Sequence, residues 1–156
     1  MNLKIGDKAP SFSLRNTSKA EVSLSDYEGK NVVILFFPLA FTGVCTAELC
    51  SVRDNLSMYE SLNAEVLGIS VDSLFTLEQF KKAQNYNFLL LSDFNKEVSR
   101  AYGSLYEEFV LGMKGVAKRS AFVIDSQGTI QYAEVLEDAG QQPDFEAIEA
   151  KLNSLS

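Results

Sequence analysis

Two spacings of hydrophobic residues alternate along this chain. Val32-Val33-Ile34-Leu35-Phe36-Phe37 is an unbroken apolar run, and Pro38 closes it. A β-branched and aromatic run ended by a proline predicts a buried central strand over residues 31–37. From Gly43 the spacing changes. Leu49, Val52, Leu56, Tyr59 and Leu62 recur every three or four positions, which predicts one helix from 43 to about 62 with a single buried stripe. Residues 65–71 predict a second core strand. Ser73 is placed to cap a helix running from 74 to about 85. The apolar stretch 88–91 leads into Ser92-Asp93, with a helix expected over 95–102. Strands over 120–125 and 129–135 are joined by Ser126-Gln127-Gly128, a hairpin turn. Pro143 suits the first turn of a last helix that carries Phe145, Ile148 and Leu152 inward. Near the start, Phe12-Ser13-Leu14 and Val22-Ser23-Leu24 alternate apolar and polar, which predicts an amino-terminal β-hairpin.

Core strands alternating with helices, then an antiparallel pair and a final helix, define an α/β, thioredoxin-like plan with a central mixed sheet flanked by helices. There is no repeat, low-complexity segment or linker, so residues 1–156 are expected to form a single domain. The stretch 103–118 is the expected insertion, leading to Arg119.

Charge and composition narrow the chemistry. With 14 basic and 21 acidic residues the net charge is −7. An acidic chain without a Lys/Arg cluster is poorly suited to nucleic acid or anionic membranes. The start has no apolar signal core, and the longest apolar run is too short to span a bilayer. A cytoplasmic protein is expected. The chain has no histidine, which removes Ser-His and Cys-His catalysis and His-ligated metal or haem sites. Two cysteines cannot build a disulfide framework or a four-Cys metal site. No phosphate-binding glycine loop is present. Covalent chemistry is left to a thiol helped by Arg, Thr, a carboxylate or backbone amides.

Cys45 falls in the first turn of the predicted helix, just past the carboxyl end of a core strand, where open α/β sheets place their chemistry. Free N–H groups and the helix dipole there favour the nucleophilic thiolate. Each neighbour has two readings. Thr42 is either a helix N-cap or a hydroxyl facing the same pocket. Pro38 either only ends the strand or also shields the sulfur from water. Glu48, taken as first-turn, complements the dipole or holds an arginine. Arg119, entering the strand Ser120-Ala121-Phe122-Val123-Ile124, faces solvent or reaches Cys45 if that strand adjoins the first core strand. Cys50 is a small packed residue or a second redox thiol. The helical pattern puts it with Asp54, Ser57 and Ser61 on the polar side.

The run Pro38-Leu39-Ala40-Phe41-Thr42-Gly43-Val44-Cys45 resembles the peroxiredoxin signature Pro-x-x-x-Thr/Ser-x-x-Cys. Its wording, with Leu90-Leu91-Ser92-Asp93-Phe94, Ala101-Tyr102-Gly103 and Gly115-Val116-Ala117-Lys118-Arg119-Ser120, resembles the AhpE-type subfamily along nearly the whole chain. The resemblance implies Cys45 as the peroxidatic thiolate and Thr42 as its hydrogen-bond partner. It implies Pro38 as the pocket shield, Arg119 as the activating arginine and Glu48 as the supporting acid. No metal, haem, flavin or other cofactor is implied. Cys50 departs from one-cysteine AhpE-type members. Its spacing resembles that of the bacterioferritin-comigratory, or Q-type, peroxiredoxins, in which this cysteine resolves the sulfenic acid.

The implied activity is reduction of hydrogen peroxide or organic hydroperoxides, with peroxynitrite as another acceptor. A thioredoxin-, glutaredoxin- or low-molecular-weight-thiol reductant would recycle the enzyme. A homodimer is implied, with Phe41, Phe75 and Phe109 as candidate contacts or core residues. Two rival functions are a general disulfide oxidoreductase, disfavoured by the missing Cys-x-x-Cys, and a redox sensor or holdase.

Overall fold

The computed structural model describes residues 3–155; Met1, Asn2 and Ser156 lie outside them. Among the described residues seven strands form one sheet, in the order β2 (Glu21–Ser23), β1 (Ser13–Asn16), β5 (Leu89–Ser92), β4 (Ala64–Ser70), β3 (Asn31–Phe36), β6 (Ser120–Ile124) and β7 (Ile130–Val135). The central strand β3, Asn31–Phe36, is buried at every position. It pairs in parallel with β4, Ala64–Ser70, and antiparallel with β6, Ser120–Ile124. The unbroken apolar run has a simple cause. Successive side chains point to opposite faces, and both faces are covered. Val33 and Leu35 enter one core with Leu49, Leu77 and Ile148, whereas Val32, Ile34 and Phe36 enter the other with Phe12, Val98 and Tyr102.

The amino-terminal hairpin is β1, Ser13–Asn16, paired with β2, Glu21–Ser23, and β1 also meets the edge of β5, Leu89–Ser92. The carboxyl-terminal hairpin joins β6 to β7, Ile130–Val135. Helix α3, Leu74–Gln84, starts as expected, with Ser73 accepting from the Thr76 amide. Helix α4, Glu97–Ala101, is held at its start by the buried Asp93 carboxylate, which accepts from the Val98 and Ser99 amides.

Two expectations are corrected. The helix after Gly43 is two helices, α1 over Gly43–Asp54 and α2 over Leu56–Ser61. Asn55 leaves helical geometry at φ −116, ψ 17, and its side-chain amide donates back to the Ser51 carbonyl. Such local bonding competes with the helix ladder. The apolar stripe runs on across the break, so periodicity alone does not reveal it. The last helix, α5, Phe145–Leu155, begins after Pro143 rather than at it. Asp144 lies between them and accepts from the Ala147 amide, while Ile148 and Leu152 are fully buried as expected.

Candidate active site

The register of the central strands assembles the site. Phe36, the last residue of β3, pairs with Ser120, the first of β6. The pairing is antiparallel, so the chain leaving β3 and the chain entering β6 meet at the same end of the sheet. Pro38 and Arg119 are both buried there. Proline has no N–H to continue a ladder, and the strand gives way to the loop that carries Thr42 and Cys45.

Cys45 is the third residue of α1 and has no exposed surface. Arg119 is 2% exposed. Its guanidinium is fixed by two partners. Nη1 donates to Glu48 Oε1 at 2.7 Å, and Nε and Nη2 both donate to the Ala139 carbonyl, at 3.2 and 2.9 Å. It also interacts with Cys45, whose charge acts on it. Burial pulls the arginine's pKa down, but Cys45 and Glu48 outweigh that by charge and hydrogen bonding and move it upward. The planar fork of five N–H donors lets one side chain serve a carboxylate, a carbonyl and a sulfur together. The solvent-facing reading of Arg119 is set aside.

Glu48 departs from its first-turn placing. It is the sixth residue of α1, beyond the first turn, and wholly buried. Its Oε1 holds Arg119, whereas Oε2 has no hydrogen-bond partner. Burial pushes its carboxyl up to about 7 from the ordinary 4.5, against the downward pull of Arg119. Glu134 adds to the rise.

Thr42 occupies the N-cap position with extended backbone, but its side chain does not cap the helix. The hydroxyl donates instead to the Leu39 carbonyl at 2.8 Å. Its hydrogen is then engaged, and its oxygen is left as an acceptor. The preceding Phe41 sits at φ 68, a region bulky side chains rarely adopt. Asp72, just past β4, steadies this loop by accepting from the Ala40 amide at 2.8 Å and from the Ser70 hydroxyl at 2.6 Å. Sequence reasoning passed over Asp72, although an acidic residue at the carboxyl end of a parallel strand was its signal.

Cys50 is also placed differently from its polar-side expectation. It is half-buried and packs against the core. Its thiol donates to Gln84 Oε1 at 3.6 Å and lies 3.7 Å from the Tyr86 hydroxyl. Both cysteines are free thiols. They sit five residues apart in one continuous helix, so their Cα atoms are about 8–9 Å apart by helical geometry, beyond the roughly 7 Å a disulfide spans. Among the candidate contact residues, Phe41 and Phe75 are exposed, while Phe109 is half-buried and stacks on Tyr106.

A buried thiol at a helix start, faced by a fixed arginine at the end of a central strand, defines a thioredoxin-fold thiol enzyme. The AhpC/TSA family matches residues 5–133. Alkyl hydroperoxide reductase E of Mycobacterium tuberculosis is 41% identical over 136 residues, covering 85% of this chain and 86% of that protein. The crystal structure of peroxidoxin BcpB from the same organism superposes with a TM-score of 0.87 at 27% identity, covering 99% of each chain. Peroxiredoxin Q of Xanthomonas campestris does so with a TM-score of 0.80 at 26% identity, over 92% of this chain and 90% of that one. The chain belongs to the AhpC/TSA family, the peroxiredoxins, and its activity is thiol-dependent peroxide reduction. Among the described residues, no helix is long and apolar enough to cross a membrane.

Proposed function

We propose that Cys45 is the peroxidatic residue and that hydrogen peroxide or an organic hydroperoxide is its substrate. The thiolate sulfur attacks one peroxide oxygen, the O–O bond breaks, and the leaving oxygen takes up a proton as water or an alcohol. Sulfur is oxidised to sulfenic acid and the peroxide is reduced. Arg119 stabilises the thiolate and then the negative charge that grows on the leaving oxygen. Thr42 Oγ1, with its own hydrogen on Leu39, accepts from the peroxide O–H and orients it. Pro38 keeps water from the sulfur, and Glu48 holds the guanidinium at its angle.

Cys50 then attacks the sulfenic sulfur, an S–S bond forms and water leaves. A thioredoxin- or glutaredoxin-type dithiol, or a low-molecular-weight thiol, reduces that disulfide. The 156 residues work as one domain, in the cytoplasm, and pair as a homodimer through the exposed Phe41 and Phe75. The guanidinium held among Glu48, Ala139 and Cys45 carries this reading. Cys45→Ser tests it. The change is nearly isosteric, so the fold should persist while peroxide consumption falls to background. Turnover within tenfold of wild type would end the proposal.

A further inference from the structure

One tyrosine outside the peroxide site touches both halves of the thiol chemistry. Tyr86 follows Asn85, whose left-handed backbone turns the chain sharply after α3. Its ring is buried against Phe80 and Phe88, with centroids 5.1 and 5.5 Å away. Its hydroxyl donates to the backbone carbonyl of Thr46 at 3.2 Å, on the residue directly after Cys45, and lies 3.7 Å from Cys50 Sγ. Burial, then its hydrogen bond and charge interaction with Cys50, raise its pKa, so the hydroxyl keeps its hydrogen and remains a donor.

The same turn grips α1 at other points. Arg53 Nη1 donates to the Gln84 carbonyl at 2.6 Å, Asn87 Nδ2 donates to the Arg53 carbonyl at 3.3 Å, and Gln84 Oε1 accepts from Cys50. These contacts hold the second half of the helix. Among the described residues, the Tyr86–Thr46 bond is the turn's hydrogen bond to the first half. A Cys45–Cys50 disulfide needs that first half to unwind, because the intact helix keeps the thiols too far apart.

We propose that Tyr86 is a positioning residue, a latch on the first half of α1 that sets how fast oxidised Cys45 is released toward Cys50. The latch delays resolution and leaves the sulfenic acid open longer to a second peroxide. It therefore sets the partition between disulfide and sulfinic acid. This rests on Cys50 being the resolving thiol.

Tyr86→Phe keeps the ring and removes only the hydroxyl. In stopped flow with one equivalent of hydrogen peroxide, sulfenic acid formation should stay within about twofold of wild type. Disulfide formation should quicken about fivefold, the effect of one ordinary hydrogen bond. The peroxide concentration that produces sulfinic acid at Cys45 should rise by a similar factor. In the reduced protein, amide exchange over residues 43–49 should quicken about fivefold while residues 50–54 keep wild-type protection. Unchanged resolution and unchanged exchange over 43–49 would overturn the latch. So would a slowing of the first phase as large as any change in the second. If wild-type protein forms no Cys45–Cys50 disulfide, the resolving reading fails and the partition claim fails with it. The exchange result then still decides whether Tyr86 holds the helix start.

Discussion

The two sides of helix α1 treat two thiols in opposite ways. Cys45 faces a buried cation whose other donors are already committed to Glu48 and Ala139. Cys50 hydrogen-bonds only neutral groups, the Gln84 amide and the Tyr86 hydroxyl, and the cation nearest it in charge, Arg53, is part-exposed and bonded to the Gln84 carbonyl and Asp54 instead. In the proposed cycle the same functional group has two tasks. A cation with its geometry fixed in advance favours negative sulfur and then negative oxygen, which a nucleophile that cleaves an O–O bond needs. Neutral hydrogen-bond partners suit the proposed role of Cys50 as a thiol held in reserve. The helix between them acts as the spacer, and its rigidity keeps the two from meeting in the reduced protein.

Removing the cation should erase the largest part of this difference. Arg119→Met should slow the first peroxide step by about a hundredfold or more, as loss of one fixed transition-state donor does. Arg119→Lys should recover only part of it, because an ammonium cannot reproduce the fork. Stopped-flow rates read both, and an unchanged rate in Arg119→Met would mean the guanidinium takes no part.

The other thiol should be dispensable for the first turnover. Cys50→Ser should consume one equivalent of peroxide at the wild-type rate, then accumulate sulfenic acid and pass readily to sulfinic acid under excess peroxide. Mass spectrometry of Cys45 follows this, and equal resistance in the variant and wild type would remove Cys50 from the scheme.

The smallest expected effect lies in the pH dependence of stability. The Glu48 carboxyl is raised from 4.5 to about 7 in the folded protein. Between these values the folded state holds a proton the unfolded chain has lost. This contribution to stability is full below about pH 4.5, falls as pH rises through about 7, and is flat above. Urea unfolding of the reduced protein should show that decline, on the order of 1 kcal/mol or more. Glu48→Gln should flatten it. An identical decline in the variant would assign the proton uptake elsewhere.

Much of this comparison was legible in the sequence. The apolar run before Pro38 and the helical spacing after Gly43 place Cys45 at a strand end and a helix start, because those signals are local. Arg119 depended on which strand β6 joins, a long-range fact that no local pattern carries, and the resemblance supplied what periodicity could not. The surroundings of Cys50 were misjudged for the same reason. A helical wheel sorts residues by their own helix, and Gln84 and Tyr86 come from a turn more than thirty residues on. Asn55 broke the helix without disturbing its apolar stripe. For Glu48 the sequence leaves two readings open, a complement to the helix dipole or a hold on an arginine, and only the burial of the pair decides for the arginine.

In the proposed cycle the intact helix keeps Cys45 and Cys50 apart until oxidation, after which the helix start unwinds to join them. The direct test is amide exchange combined with intact mass after one equivalent of hydrogen peroxide. The expected result is an intramolecular Cys45–Cys50 disulfide, both thiols closed to alkylation, and lost protection over about residues 43–52. A stable sulfenic acid or an intermolecular Cys45–Cys45 link, with Cys50 still open to alkylation and the helix still protected, would contradict it.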